Sequence, residues 1–174
     1  TEHARAGNKH KHASVVLMCG VPASGKSAFA SAMKRNINNT CVTCGIRYDP
    51  IVLIDYDEIA NDIARKSSSE SAHTATFSET DLQAWRDSRE AALSQLETEL
   101  RNYFAESDAD DNEGHYNLLV ILDDNFHLRS MRRDAYKICQ GVITGLNDEP
   151  DSSDTARNST FTIGFSVVLV DTPL

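Results

Sequence analysis

Gly20-Val21-Pro22-Ala23-Ser24-Gly25-Lys26-Ser27 fits the pattern G-x-x-x-x-G-K-[ST] at every fixed position. The apolar run Val15-Val16-Leu17-Met18-Cys19 precedes it and Ala28-Phe29-Ala30-Ser31-Ala32-Met33-Lys34 follows it, so the stretch lies between a buried strand and the N-terminus of a helix. Two glycines let the backbone fold back until successive N–H groups converge on one concavity, where the helix dipole adds partial positive charge. Phosphate is the natural guest of such a concavity. Lys26 is placed to reach the β- and γ-phosphates as a point charge, and the Ser27 hydroxyl to ligate Mg²⁺, a hard cation that prefers oxygen. The residues expected to bind nucleotide are Gly20, Pro22, Ala23, Ser24, Gly25, Lys26, Ser27 and Ala28, with ATP and Mg²⁺ as cofactors.

Two further apolar runs end in acids. Pro50-Ile51-Val52-Leu53-Ile54 leads into Asp55-Tyr56-Asp57-Glu58, and carboxylates at the carboxyl end of a parallel strand face the ligand crevice. Asp57 there can accept or orient a proton from a substrate hydroxyl; equally, it can cap a helix running from Glu58 to Lys66. Asn117-Leu118-Leu119-Val120-Ile121-Leu122 ends in Asp123-Asp124, the Walker B arrangement in which a carboxylate holds Mg²⁺ directly or through water. The expected metal-side set is therefore Ser27, Asp123 and Asp124. Strands alternating with helices predict an α/β P-loop fold of kinase-like, three-layer form, with a mostly parallel sheet.

The chain has 174 residues, 40% hydrophobic and 25% charged, with a formal net charge of -9, which suits one soluble domain and argues against binding nucleic acid by bulk electrostatics. Much of the acid sits in two loop-like stretches, Glu106 to Glu113 and Asn147 to Asp154, which read as solvated insertions. No run is long enough to span a membrane and no signal-type segment begins the chain, so a cytoplasmic location is expected. Cys19 and Cys139 read as small buried hydrophobes. Cys41 and Cys44 form a lone C-x-x-C without the second pair that a zinc site requires.

Residues 1–13 are polar and read as a flexible arm preceding a domain over 14–174. The Ser- and Thr-rich stretch from Ser67 to Thr76 predicts a loop. Leu82, Trp85, Leu93, Leu96 and Leu100 then recur near a helical period up to Phe104. Trp85 and Arg89 can line a pocket, but a core tryptophan beside a surface arginine is the simpler reading. Ser130 is a candidate cap for a helix over Met131 to Cys139, Gly145 to Thr160 reads as a loop, and Thr162 to Val170 as the fourth strand.

GVPASGKSAFA, LIDYDEI and above all ILDDNFHLRSMRRDAYKIC resemble the O-phosphoseryl-tRNA(Sec) kinase family. The resemblance implies ATP-dependent phosphorylation of seryl-tRNA(Sec), with that tRNA as partner. It matches Asp57 to the catalytic base and Asp123 and Asp124 to the metal-side acids. It also matches Ser130, Met131 and Arg132 to the family signature, and Arg132 joins Lys26, Asp57 and Asp124 among the implied catalytic residues. As charges on a solvated helix face, Arg129, Arg132 and Arg133 need no such role. That family carries a further helix, an arginine-bearing lid, another strand and tRNA-gripping helices after the fourth strand, so the chain reads as the N-terminal part of such a domain, incomplete at its C-terminus.

The Elongator-associated regulators of tRNA modification share the phosphate loop and a related Asp…Asn…Arg segment. They imply ATP hydrolysis that controls an assembly, without phosphorylation of tRNA. They usually show an aromatic after the Asn and a Gly-Phe-Arg type signature, so Ser130-Met131-Arg132 favours the kinase. Polynucleotide or small-metabolite kinases, and a nucleotide-binding module without activity, complete the alternatives.

Overall fold

A computed structural model describes residues 10–40, 46–68, 80–106, 116–148 and 160–170. The elements follow in the order β1 (His10–Cys19), α1 (Lys26–Thr40), β2 (Tyr48–Asp55), α2 (Tyr56–Ser68), α3 (Thr80–Ala105), β3 (Asn117–Asp123), α4 (Arg129–Asp148) and β4 (Thr160–Leu169). The four strands form one parallel sheet in the order β2-β3-β1-β4. The expected α/β fold with a parallel sheet is what the chain adopts. Because β3 pairs directly with β1, the acids at the end of β3 are brought beside the phosphate loop that follows β1.

The two-residue period of each strand divides the core. Val15, Leu17, Leu118, Val120 and Leu122 turn to one face, where they meet Ala92, Leu96 and Leu100 of α3 and Ala135, Cys139 and Val142 of α4. Val16, Met18, Leu119 and Ile121 turn to the other, against Ala30, Met33 and Ile37 of α1. β1 and β3 are thus covered on both sides, which explains their unbroken apolar runs. Burial pushes the Cys139 thiol up to about 12, so it packs as a hydrophobe, as expected.

Several boundaries differ from the sequence reading. β1 begins at His10, not after residue 13, and pairs with β4 from His10↔Thr160 onward. Its polar opening is satisfied laterally: His12 Nδ1 lies 2.7 Å from Thr162 Oγ1 and Nε2 3.1 Å from Ser14 Oγ, while Lys11 Nζ donates to the carbonyls of Tyr103 and Glu106. α4 runs on to Asp148 through the Gly145 region expected to be a loop. Ser130 lies in the first turn of α4 and not at its cap. Trp85 is 45% exposed, whereas the Arg89 side chain is only 18% exposed, which reverses the expected core tryptophan and surface arginine. Residues 1–9, the Cys41/Cys44 pair, most of the expected loop from Ser67 to Thr76 and nearly all of both acidic insertions lie outside the described residues.

Candidate nucleotide site

β1 ends at Cys19, and its carbonyl accepts the Val170 N–H at 2.7 Å. This pairing presses the end of β4 against Gly20. A Cβ on Gly20 would overlap the Val170 carbonyl oxygen and come within 2.9 Å of Ser24 Oγ, and its φ of 155° is open only to glycine without strain. The loop then turns through Ala23 at φ 62° and Gly25 at φ 88°. The Ser24 N–H closes on the Val21 carbonyl at 3.2 Å, and the Phe29 N–H donates to Gly25 O at 2.9 Å as the first bond of α1. Lys26 Nζ donates to the Val21 carbonyl at 2.8 Å, which folds the ammonium over the loop. Ser24 Oγ is buried with no hydrogen-bond partner.

Opposite the loop stand the acids. Asp123 is 4% exposed and accepts a hydrogen bond from the Ser27 side chain. Burial holds its pKa above the ordinary carboxylate value; the Ser27 bond and the charge of Lys26 pull it down, and Asp55 and Asp57 push it up. Burial raises the Asp124 pKa too, with Asp57 adding to the rise while the Asn125 N–H, Arg89 and His127 oppose it. Asp123 Oδ2 and Asp124 Oδ2 are buried with no hydrogen-bond partner.

Asp55 is paired with Asp123 across β2 and β3, and it caps α2: its Oδ1 accepts the N–H groups of Asp57 at 2.9 Å and Glu58 at 3.1 Å. The cap is therefore Asp55 and not Asp57. Asp57 sits exposed in the first turn of α2, its charge felt by both Asp123 and Asp124. The structure thus brings Ser27, Lys26, Asp57, Asp123 and Asp124 together at the carboxyl end of the sheet, where a parallel α/β sheet binds its ligands.

Arg132 reaches this region from α4 by a different route. Its Nη1 donates to the carbonyls of Phe126 at 2.6 Å and His127 at 2.8 Å, tying α4 to the loop that carries Asp124 and Asn125. Met131 beside it is 2% exposed and belongs to the core. Arg132 is thus a positioning residue in this arrangement, acting through the loop. Arg129 and Arg133 are exposed. Sequence reasoning gave no role to Asp55, whose position two residues before Asp57 was the available signal, and it favoured a surface position for Arg89, whose charge reaches Asp124 from α3.

The donors present suit Mg²⁺ held with a nucleotide. Among the described residues no group of three or more His, Cys, Asp or Glu side chains forms a metal site by itself. Mg²⁺ takes one or two carboxylates together with substrate phosphates, and a hydroxyl with two orphaned carboxylate oxygens matches that need. Among the described residues no helix is long and apolar enough to cross a membrane.

A family model described as "Chromatin associated protein KTI12" matches residues 14–146. No curated protein matches the chain. Among solved structures, a mutant of the APS kinase CysC of Mycobacterium tuberculosis is 16% identical over 94% of this chain and 90% of its own, with a TM-score of 0.41. A candidate kinase from Chloroflexus aurantiacus j-10-fl is 9% identical over 89% of this chain and 85% of its own, with a TM-score of 0.47.

Proposed function

This chain belongs to the KTI12 family, and we propose that it is a P-loop ATPase of the Elongator-associated regulatory type, which uses ATP hydrolysis to control an assembly acting on tRNA. The observation that carries the nucleotide part is the Ser27 hydroxyl bonded to the buried Asp123 at the foot of an intact phosphate loop. The choice of regulator over seryl-tRNA(Sec) kinase rests on the family match, and the signature residues do not stand against it. Met131 fills the core and Arg132 binds loop carbonyls, so neither has to face an acceptor.

Bound Mg²⁺ would neutralise charge on the β- and γ-phosphates. The backbone N–H groups of Val21 and of Ala23 to Lys26, Pro22 having none, would cradle those phosphates, with Lys26 turning from the Val21 carbonyl to the γ side. Ser27 and Asp123 would hold the metal, with Asp124 orienting its water shell. Asp57 would orient the attacking hydroxyl or water and receive its proton, and Arg132 would keep Asp124 and Asn125 in register.

The test is transfer of γ-phosphate label from ATP by the full-length protein to seryl-tRNA(Sec), unacylated tRNA, a 5′-hydroxyl oligonucleotide or no acceptor, with Lys26→Ala as control. Release of labelled phosphate without any labelled acceptor, lost in Lys26→Ala, is the expected result. Label on seryl-tRNA alone would restore the kinase reading that Ser130-Met131-Arg132 suggested.

A further inference from the structure

Among the described residues, the buried side-chain oxygens without a hydrogen-bond partner are Ser24 Oγ, Asp123 Oδ2, Asp124 Oδ2 and Asn125 Oδ1. All of them belong to the phosphate loop, or to the end of β3 and the turn after it. Proteins seldom leave buried polar groups unpaired, so orphans gathered at one end of a sheet mark where a ligand supplies the partners. Phosphate and metal account for the serine and the two aspartates. Asn125 has no part in that account.

The backbone of Asn125 is already engaged. Its N–H donates to Asp124 Oδ1 at 2.5 Å, and its carbonyl accepts the His127 N–H at 2.7 Å, with His127 Nδ1 2.8 Å away. Phe126 then fixes where the turn lies. Its N–H donates to the Met18 carbonyl at 3.4 Å, and its own carbonyl accepts from Cys19 Sγ at 3.4 Å, which sets the turn against the residues leading into Gly20. Its ring packs edge-on to Tyr56, with centroids 5.5 Å apart, and Tyr56 immediately precedes Asp57. Asn125 thus stands in the turn that links the start of the phosphate loop to the turn carrying Asp57, whose charge is felt by the adjoining Asp124.

A carboxamide oxygen accepts a hydrogen bond but is far too weak a base to take the proton, whereas the Asp57 carboxylate can do both. A water placed between them has a hydrogen for each and keeps a lone pair for phosphorus. An alcohol has one hydrogen to offer and would leave one acceptor unpaired. We infer that the Asn125 side chain is the acceptor that holds the attacking water in line with the γ-phosphate. The inference rests on the ATPase reading proposed above and names how its nucleophile is held. The water oxygen bonds to the γ-phosphorus as the bond from that phosphorus to the β,γ-bridging oxygen breaks; the electron pair leaves with ADP, and one proton of the water passes to Asp57.

The experiment measures Mg²⁺-dependent ATP hydrolysis by the full-length protein, ATP affinity by calorimetric titration, and Tm, for the parent, Asn125→Leu and Asn125→Ala. Leucine keeps the bulk of the side chain and alanine avoids any clash, so together they separate the oxygen from the packing. Both variants should lose about tenfold to hundredfold in kcat and keep the ATP Kd within about threefold. Both should melt at or above the parent temperature, because an unpaired buried oxygen has been removed. Parental kcat in either variant would remove Asn125 from the chemistry and leave the ATPase reading standing. So would a loss of kcat matched by an equal loss of ATP affinity, or a Tm several degrees below the parent's, since each marks a structural role. No hydrolysis by the parent protein would end the ATPase reading and this inference with it.

Discussion

Gly20 is the position where the fold and the phosphate loop constrain each other most tightly. The end of β4 leaves no room for a Cβ there, and φ is 155°. In Gly20→Ala a Gly-only backbone conformation costs about 1–3 kcal/mol. Relieving the overlap with the Val170 carbonyl adds about 1–3 kcal/mol, because backbone must move. For a chain of this size the sum lowers Tm by about 5–20 °C. Gly25 also has a positive φ, 88°, but nothing lies within 4 Å of its Cβ position; only the backbone cost applies, and Gly25→Ala lowers Tm by about 2–10 °C. Gly141 lies within α4 with open space around it, so Gly141→Ala raises Tm by about 1–4 °C through helix propensity. Thermal unfolding of the three variants and the parent, with nucleotide binding measured on each, tests the ranking. A Gly20→Ala protein as stable as Gly25→Ala would show that Val170 does not press on the loop, and the reason given for Gly20 would fall.

The remaining predictions concern the acids and their supports. Asp123 has a raised pKa, so its contribution to stability is full below the unfolded value near 3.8 and is lost as pH rises through the folded value. Asp123→Asn should therefore stabilise the nucleotide-free protein by a few degrees near pH 7, with the gap closing toward pH 4, and should abolish Mg²⁺-dependent nucleotide binding; Tm against pH beside calorimetric titration checks both. Asp57→Asn should lower ATP turnover while nucleotide affinity stays nearly unaltered, and equal loss of both in steady-state kinetics would remove Asp57 from the chemistry. Arg132→Ala forfeits charge-assisted bonds to two carbonyls, costing about 1–3 kcal/mol by denaturant unfolding. It should weaken nucleotide binding more with Mg²⁺ than without, and Arg132→Lys should recover part of that difference.

How much of this was legible in the sequence depends on which force set each feature. The phosphate loop, the apolar runs of β1, β2 and β3 and the acids that follow them could be read because hydrophobic periodicity and strand direction act locally, although β2 lies at the edge of the sheet with only Ile54 fully buried. The start of β1 could not, since His10 to Ala13 gain their place from β4, some 150 residues away, and their polar side chains hide the strand pattern. Asp55 and Asp57 are both good cap residues, and only the turn at which helical dihedrals begin decides between them. α3, at 26 residues, carries one apolar face from Leu82 and Trp85 on to Ala92, Leu96 and Leu100, and periodicity alone does not say that its first turns stand exposed, with Trp85 at 45%, while the later ones pack in the core.

The choice between the two families turned on residues whose roles are structural. Ser130-Met131-Arg132 was weighed as a mark of the acceptor, yet Met131 packs from α4 into the core and Arg132 fastens the loop after β3. Both families share the Asp…Asn…Arg segment, and the fold gives that sharing a physical reason. Asp123 bonds Ser27 on the nucleotide side, and Arg132 holds the turn that follows Asp124 and Asn125. A device that positions phosphate-side acids serves phosphoryl transfer to any acceptor, water included, so its presence predicts the nucleotide chemistry and is neutral on the acceptor. The aromatic after the Asn, Phe126, has a structural role as well. It is 1% exposed and packs edge-on to Tyr56 at 5.5 Å, joining the loop after β3 to the start of α2. It thereby ties the turn carrying Asp124 to the turn carrying Asp57, a link on which the relative placing of the two carboxylates depends.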